Sequence, residues 1–286
     1  MRKVLFLIKL SRPEQWIKNF FVFAGIVFSG QITNVTAVLN SIIAFILFCI
    51  ASSLIYVLND LVDIEKDKLH PKKKLRPLAA GHLKKSDTYV YVLILTACLI
   101  GGYFWSIAVS IIISTYIIIN ILYAVCFKNI VIIDVFSIAS GFVLRVVAGA
   151  VAVSAMPSPW LLLCTLLLAL FLALGKRRHE LLLLQNNAKD HRANLGEYNI
   201  DLINQWTSIT TATTILTYSL YTFIELSHIW MMTTIPFVIY GLFRYQYLVF
   251  VKKQGGSPEK ILISDTPFII NGLLWASTVF FIVYLL

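Results

Sequence analysis

The sequence predicts an all-α integral membrane protein. We expect one domain, residues 1–286, that folds as a bundle of nine transmembrane helices. The N-terminus is expected in the cytoplasm and the C-terminus outside. Three observations support this prediction. Of the 286 residues, 59% are hydrophobic and only 13% are charged, and the mean hydropathy is +0.82. Apolar runs of about 20 residues, the length of a helix that crosses a bilayer, recur along the chain. Basic residues fall in alternate connections between these runs.

The first four predicted spans lie in the N-terminal half. Trp16, a residue type favoured at membrane interfaces, begins a first span at residues 16–30, and a second span follows at 41–58 after an uncharged link. Residues 89–127 are apolar over too great a length for one crossing, and Gly101, Gly102 and Trp105 interrupt them. We therefore predict two spans there, joined by a tight uncharged turn.

The other five spans are separated alternately by polar and uncharged connections. A fifth span is predicted at residues 130–153 and a sixth at 160–174, with a link rich in serine and proline between them. A polar loop then reaches residue 201. The seventh span extends to residue 224, the eighth occupies 230–250, and a last polar loop precedes the ninth at 267–286.

The distribution of charge is an independent test of this threading. Of the 24 Lys and Arg residues, all but Arg145 and Arg244 lie in the second, fourth, sixth and eighth loops or in the N-terminal segment, which is counted here as far as Lys18. Such a bias marks the cytoplasmic side of a membrane protein. The net charge of +10 therefore indicates topology and phosphate-bearing partners, and we expect no nucleic-acid ligand. The four cysteines are scattered singly, which does not indicate a metal or redox pair.

An acidic run at the end of the second span is the first candidate for chemistry. Asp60, Asp63 and Asp67 share one helical face if that helix continues, with Asn59 beside them. Clustered carboxylates repel one another unless a cation is present, and hard oxygen ligands of this kind suit Mg²⁺ bound with substrate phosphate. The alternative is a solvated acidic helix end balanced by Lys66 and Lys68.

A basic run follows directly and is expected to fold over the acidic helix end as a loop. Its cations are Lys72, Lys73, Lys74 and Arg76, and Pro71 and Pro77 limit helix formation there. Arg76 is the preferred candidate for binding phosphate oxygens. The alternative is that these cations only set the topology.

Charged residues elsewhere are expected at the same face or inside the bundle. Asp134 and Arg145 lie within the fifth span, where an ionisable group by default indicates function, although a structural pairing with other helices is the alternative. Lys128 precedes that span. Lys176 and Arg177 follow the sixth span, and their alternative role is again a topology signal.

These patterns resemble the UbiA-type intramembrane prenyltransferases along the whole chain. That family has nine helices and the motif Asn-Asp-x-x-Asp-x-x-x-Asp after the second, which matches Asn59, Asp60, Asp63 and Asp67. Residues 12–19, residues 70–81, and Tyr123 with Lys128 and Asp134 are similar to the branch of decaprenyl-phosphate phosphoribosyltransferases. Aromatic prenyltransferases carry a second aspartate-rich motif after the sixth helix, whereas residues 175–180 here read Gly-Lys-Arg-Arg-His-Glu.

The resemblance implies an enzyme that transfers 5-phosphoribose from phosphoribosyl pyrophosphate to a polyprenyl phosphate, with release of pyrophosphate, for cell-envelope glycan precursors. It implies Mg²⁺ held by Asn59, Asp60, Asp63 and Asp67, and the three aspartates are the implied catalytic residues. The implied substrate-binding residues are Lys18, Asn59, Arg76, Tyr123, Lys128, Asp134, Arg145, Lys176 and Arg177. The expected location is the bacterial inner membrane, with the active site facing the cytoplasm, and a homo-oligomer is compatible with the pattern.

Two other functions stay open at this point. An aromatic-acceptor prenyltransferase would share the fold and use a polyprenyl diphosphate donor, but residues 175–180 lack the second acidic motif. A membrane transporter could use Asp134, Arg145 and the acidic run as an ion pathway. Two observations count against the transporter. The charges are concentrated at one membrane face, and the sequence has no obvious repeat of broken helices.

Overall fold

The computed structural model describes residues 2–70, 73–184, 196–225, 229–256 and 258–285, and within these ranges the chain is helical, with no β-strand. Pro71 and Lys72 of the basic run lie outside them. The α-helices are α1 (Arg2–Leu10), α2 (Ala24–Phe28), α3 (Val35–Val62), α4 (Ile64–Leu69), α5 (Lys85–Trp105), α6 (Ile107–Val125), α7 (Ile133–Ala152), α8 (Pro159–Leu184), α9 (Ile200–Leu220), α10 (Ile235–Phe250), α11 (Pro258–Ser264) and α12 (Thr266–Leu285).

Six of the described helices are long and apolar enough to cross a membrane, namely α3, α5, α6, α7, α8 and α12. They account for the second to sixth predicted spans and for the ninth. The first predicted span is a 3₁₀ segment, Pro13–Phe23, followed by α2. The seventh and eighth contain α9, which carries six threonines, and α10, which has 16 residues. The chain is an integral membrane protein, and its nine crossings stay a prediction.

The first predicted span deviates from an α-helix where it lies closest to α7. A Cβ atom at Gly149 would lie 1.8 Å from the carbonyl oxygen of Val22, and one at Gly25 would lie 2.3 Å from the nitrogen of Ala150. Only glycine allows the two backbones to approach this closely. The 3₁₀ segment and α2 therefore pack directly on α7, inside the bundle.

Two predicted helix ends were wrong, and both errors bear on the site. Helix α3 is capped by Asn34, whose side chain accepts hydrogen bonds from Thr36 N and Ala37 N, and it continues beyond Leu58 to Val62. Helix α8 continues ten residues beyond the predicted end at residue 174. Its polar extension is helical because Leu181 is buried with residues of α7 and α9, and because Arg177 pairs with a carboxylate of α7.

Two further helices were not predicted. Helix α1 lies within the basic N-terminal segment, and its exposed Val4, Leu5 and Ile8 accompany exposed Lys3 and Lys9. Helix α11 lies within the last polar loop and packs on the 3₁₀ segment. Both are shorter than ten residues, too short for a reliable periodic signal in the sequence.

Candidate active site

The acidic run is divided between two helices and does not form one continuous face. Helix α3 ends at Val62, and α4 begins at Ile64, so Asp63 occupies the break with φ −92° and ψ 8°. Asp60 and Asp67 are each only 2% exposed, while Asp63 is half-buried. The condition for the predicted shared face, a helix that continues through Asp67, is therefore not met, although Asp60 and Asp67 still approach the same partner.

That partner is Arg76, from the basic run. Its Nη1 donates to Asp67 Oδ2 at 2.6 Å and to Asp60 Oδ1 at 3.1 Å. Lys73 Nζ lies 3.9 Å from Asp67 Oδ1. As predicted, the basic run folds over the acidic helix end. A single guanidinium thus bridges two buried carboxylates.

Arg12 is a second cation at this point, and the sequence analysis did not assign it to the site. Its Nη2 donates to Asp60 Oδ1 at 2.5 Å, and its guanidinium lies 4.7 Å from the centre of the Tyr56 ring. Its backbone has φ 52°, in the left-handed region that non-glycine residues seldom adopt. The turn between α1 and the 3₁₀ segment holds this conformation and directs Arg12 at Asp60.

The residues at the α3–α4 break are suited to Mg²⁺ that is shared with a phosphate. No group of three or more His, Cys, Asp and Glu side chains that could hold a metal ion occurs within the described ranges. However, Mg²⁺ is usually bound through one or two carboxylates together with water and substrate phosphate oxygens. Asp60 and Asp67, joined by one cationic group, provide such a carboxylate pair.

A second charged cluster is centred on a fully buried ion pair between α7 and α8. Arg177 Nε donates to Asp134 Oδ2 at 2.8 Å, and the two side chains are 1% and 0% exposed. Arg177 also donates to Glu180 and to the Tyr123 hydroxyl, and the Tyr198 hydroxyl donates to Asp134 Oδ1 at 2.5 Å. The structure brings together the predicted residues Tyr123, Asp134 and Arg177, but it does so as partners of one another.

The backbone beside Asp134 is strained. Ile132 has φ 72° and ψ −51°, and Ile133 N donates to the carbonyl oxygen of Val131 at 2.9 Å. A β-branched residue at positive φ is an outlier that persists only when its surroundings hold it. The Tyr198 hydroxyl, which accepts from Ile132 N at 3.0 Å, is one such constraint. The ion-pair cluster and this turn therefore support each other.

Arg145 lies inside the bundle, among neutral partners. Its Nε donates to Asn19 Oδ1 at 2.8 Å, its Nη1 to the Gly141 carbonyl oxygen at 2.7 Å, and its Nη2 to the Tyr116 hydroxyl at 3.0 Å. Aromatic rings of Phe48, Tyr116 and Phe142 lie within 5.7 Å of its guanidinium carbon. Within the described part of the chain, its hydrogen bonds all go to uncharged acceptors. The guanidinium charge thus remains uncompensated locally.

A third charged group joins the 3₁₀ segment to α11. Gln15 Nε2 donates to Glu259 Oε1 at 3.1 Å, and Lys18 Nζ donates to Gln15 Oε1 at 2.6 Å and lies 3.8 Å from Glu259 Oε2. Burial raises the pKa of the Glu259 carboxyl, but Lys18 and Gln15 outweigh burial, so this pKa lies below its ordinary value. The electrostatic neighbours of Lys18 also include Lys176, Arg145 and Arg12.

An apolar groove of about 980 Å³ begins beside these charges. Its lining includes Ile17, next to Lys18, and continues to Trp275 on α12 and Leu285 at the helix end. Helices α8, α9 and α10 supply the other walls. A groove of this composition is suited to a long hydrocarbon chain, with cations of the charged cluster at one end.

A family model described as "UbiA prenyltransferase family" matches residues 19–281. The chain belongs to this family. A protein of Corynebacterium glutamicum named decaprenyl-phosphate phosphoribosyltransferase is 33% identical to this UbiA-family chain, over 98% of this chain and 87% of the relative. The enzyme of the same name from Mycolicibacterium smegmatis is also 33% identical, over 96% and 91% of the two chains.

Solved structures share the fold of this UbiA-family protein. A UbiA homolog from Archaeoglobus fulgidus, bound to GPP and Mg²⁺, superimposes with a TM-score of 0.74 at 19% identity and covers 98% of this chain and 100% of that chain. The same homolog bound to DMAPP and Mg²⁺ gives a TM-score of 0.73 at 20% identity, over 98% and 99%. These structures share the fold, and the family match with the named bacterial relatives shows that the chain is a UbiA-superfamily transferase.

The predicted site residues fall into separate places in this UbiA-family structure. Asn59, Asp60, Asp63, Asp67 and Arg76 lie at the α3–α4 break, and Lys18 lies at Glu259. Lys176 is exposed, whereas Lys128 is half-buried in a 3₁₀ turn, Phe127–Asn129. Five further residues belong to these clusters although the sequence pattern gave them no site role: Arg12, Gln15, Glu180, Tyr198 and Glu259. Arg12 lies in a stretch that carried the resemblance, but Glu259 is a single acid in a polar loop and gave no signal.

Proposed function

We propose that this protein transfers the 5-phosphoribosyl group of phosphoribosyl pyrophosphate to a polyprenyl phosphate and releases pyrophosphate. The observation that carries the proposal is the junction of two unlike surfaces. Carboxylates clamped by Arg12 and Arg76 lie at one side, and an apolar groove begins beside Lys18 at the other. A water-soluble polyphosphate and a lipid phosphate can meet at such a junction. The names of the bacterial relatives support this choice of substrates.

The donor is assigned to the α3–α4 break. Asn59, Asp60, Asp63 and Asp67 would hold Mg²⁺, which supplies neutralising charge to the pyrophosphate leaving group. Arg76 and Lys73 lie against the same aspartates and can bind further phosphate oxygens. Burial of Asp60 and Asp67 limits access of water, so these charges act more strongly than they would at the surface.

The acceptor phosphate is assigned to the cations at the start of the groove. Lys18 and Lys176 are electrostatic neighbours, and Arg12 connects this group with Asp60. A phosphate oxygen attacks the sugar carbon from the face opposite the pyrophosphate, so one carbon–oxygen bond forms as the other breaks. The attacking oxygen is already anionic and no proton must be removed. Positioning and electrostatic stabilisation therefore supply most of the rate enhancement.

The other predicted residues are assigned less direct tasks. Asp134 and Arg177 are each other's partners, so they position α7 against α8 beneath Tyr123. Lys128 stays a candidate for binding the 5-phosphate or ribose. Arg145 contributes long-range positive charge from inside the bundle, because its hydrogen-bond partners are neutral.

We further propose that the site faces the cytoplasm of a bacterial inner membrane, as the charge bias predicts, and that the chain crosses nine times. Lys74 is exposed beside the site and Met156 is exposed in the α7–α8 connection. A cysteine placed at Lys74 should react with a membrane-impermeant thiol reagent only after the cells are opened, whereas one at Met156 should react in intact cells. The reverse pattern would refute the orientation.

The activity is tested with purified protein, phosphoribosyl pyrophosphate, Mg²⁺ and decaprenyl phosphate, and the lipid product is identified by mass spectrometry. We expect a phosphoribosylated lipid, absent after chelation of the metal and reduced at least a hundredfold in Asp60→Asn. Glu65→Gln is the matched control, since Glu65 is an exposed carboxylate of neighbouring helix α4. It should retain wild-type activity.

The donor is varied in the same assay. A polyprenyl diphosphate with an aromatic acceptor should give no product. Product from that pair alone would replace the proposal with an aromatic prenyltransferase. Undiminished phosphoribosyl transfer after chelation would remove the metal from the proposal but leave the substrates.

A further inference from the structure

The hydroxyl of Tyr245 is buried without a hydrogen bond to any described residue. Three buried side-chain oxygens share this property, and the other two belong to Ser41 and Ser110. Ser41 lies on α3 and Ser110 on α6, and neither contributes to the groove. Tyr245, on α10, is 2% exposed and lines the groove. Of these three residues, Tyr245 is therefore the one that lines the groove.

The position of this hydroxyl is set by α8. The Tyr245 ring packs against Phe171, with ring centres 5.1 Å apart. A Cβ atom at Gly175 would lie 3.4 Å from the Tyr245 hydroxyl oxygen and 3.3 Å from its Cε1. Glycine thus leaves room for the end of the ring, one residue before Lys176. The ring belongs to the apolar wall, and the hydroxyl lies where α8 becomes charged.

The same hydroxyl lies close to the Lys18 group. Glu259, which holds Lys18 through an ion pair, also acts electrostatically on Tyr245. Ile17 and Tyr245 both line the groove. A neutral donor is therefore present at the end of the groove that carries the cations.

Phenylalanine would fill this space as well as tyrosine fills it. A buried hydroxyl that lacks a partner destabilises a folded protein, because it has lost its hydrogen bonds to water. Groups of this kind occur in native structures chiefly where a ligand or a water molecule completes the bonding. Since a groove wall is otherwise best built from hydrocarbon, the hydroxyl at position 245 indicates a polar group on the molecule that occupies the groove.

We propose that the Tyr245 hydroxyl donates a hydrogen bond to the phosphate of the lipid acceptor and thereby distinguishes a polyprenyl phosphate from the corresponding polyprenol. This inference rests on the proposed function for the identity of the lipid. Lys18 and Lys176 supply the positive charge, and Tyr245 supplies a directed neutral donor beside Gly175 of α8. Tyr245 is thus a specificity-determining residue of the acceptor site.

The test compares the binding of decaprenyl phosphate, decaprenol and phosphoribosyl pyrophosphate to purified wild type and Tyr245→Phe. A hydrogen bond to a charged acceptor corresponds to roughly a ten- to hundredfold change in dissociation constant. We expect that loss for decaprenyl phosphate alone, with unchanged binding of decaprenol and phosphoribosyl pyrophosphate. Tyr240→Phe is the control, because Tyr240 is exposed on the same helix and lies outside the groove.

Thermal stability separates this role from a structural one. Tyr245→Phe should unfold at the wild-type temperature or above, since the hydroxyl makes no bond in the described fold. Tyr218→Phe should unfold earlier, because the Tyr218 hydroxyl is within 2.7 Å of Thr234 Oγ1 and accepts from Trp275 Nε1 at 2.9 Å. A lower unfolding temperature for Tyr245→Phe would show that the hydroxyl stabilises the folded protein, and it would contradict the proposal.

The other possible binding results also distinguish between roles for Tyr245. Equal weakening of decaprenyl phosphate and decaprenol would make Tyr245 a packing residue, and unchanged binding of both would indicate a hydroxyl bonded to water alone. Weaker binding of phosphoribosyl pyrophosphate would place the donor, not the lipid, at Tyr245. Selective loss of decaprenyl phosphate binding in a protein that makes no phosphoribosylated lipid would overturn the proposed function and leave this inference standing.

Discussion

Asp134→Asn tests whether the buried pair on α7 and α8 serves the fold or contacts substrate. The change keeps the volume of the side chain but removes the negative charge 2.8 Å from Arg177 Nε. Breaking a buried ion pair costs about 3–5 kcal/mol, because an uncompensated charge is left behind. Glu180 still pairs with Arg177, so the lower end, about 3 kcal/mol, is expected.

The expected loss is large enough to measure directly. In proteins of 150–250 residues, 1 kcal/mol shifts the unfolding temperature by roughly 2–4 °C, so Asp134→Asn should lower it by on the order of 10 °C. The measurement is thermal unfolding of the purified protein in detergent, followed by tryptophan fluorescence. Asp201→Asn is the matched control, because Asp201 is exposed in the first turn of α9, and it should stay within about 0.5 kcal/mol of wild type.

The variant Tyr198→Phe extends the test without changing any charge. It removes the hydroxyl that donates to Asp134 and accepts from Ile132 N, and should cost about 1–3 kcal/mol. A structural role for Asp134 is refuted if Asp134→Asn is as stable as wild type but inactive below its unfolding temperature. That result would return Asp134 to the substrate-contacting role that the sequence resemblance implied.

Three further predictions follow from the charges at the mouth of the groove. Arg76→Ala should weaken binding of phosphoribosyl pyrophosphate at least tenfold, measured by calorimetry. Lys74→Ala, at an exposed neighbour, should leave binding unchanged. Equal effects of the two variants would indicate that only the total positive charge of the basic run matters for binding. Lys176→Ala should lower kcat/KM for decaprenyl phosphate without lowering the unfolding temperature. If the variant has wild-type kinetics, Lys176 serves only to orient the chain in the membrane. Because the pKa of Glu259 is lowered in the fold, its contribution is complete above its ordinary value of 4.5 and is lost as the pH falls through the folded value. The stability gap between wild type and Glu259→Gln should therefore close below pH 4.5; a constant gap would exclude the ion pair with Lys18.

The helical bundle could be predicted from the sequence because bilayer thickness fixes the length of an apolar helix. The two spans predicted within residues 89–127 illustrate the point, because the chain does form two helices there. Helix α5 ends at Trp105, and Ser106 caps the start of α6, where its hydroxyl oxygen accepts a hydrogen bond from Val109 N. The first span was predicted from the same signal and is mostly 3₁₀. Its geometry depends on the contact of Gly149 with Val22, which is a tertiary contact and leaves no local pattern.

The site could be predicted in its residue types but less well in its pairings. Spacing alone placed three aspartates on one face, whereas the helix break at Asp63 separates them. The run that begins at Lys176 is predicted from the sequence as the start of a polar loop, because three consecutive cations are a typical positive-inside signal. Arg177 instead points inward to Asp134, and only the packing of α8 on α7 determines which charge of the run is buried.

The two charges that the sequence singled out within the fifth span differ in their electrostatic consequences. Asp134 is neutralised by Arg177, so that pair adds little net charge to the site. Arg145 makes its hydrogen bonds with neutral groups in the described chain. Its charge acts on Lys18 through an apolar interior, where screening is weak. Two cations in a poorly screened interior favour an anion beside them, and Glu259 provides that anion for Lys18 in the folded bundle.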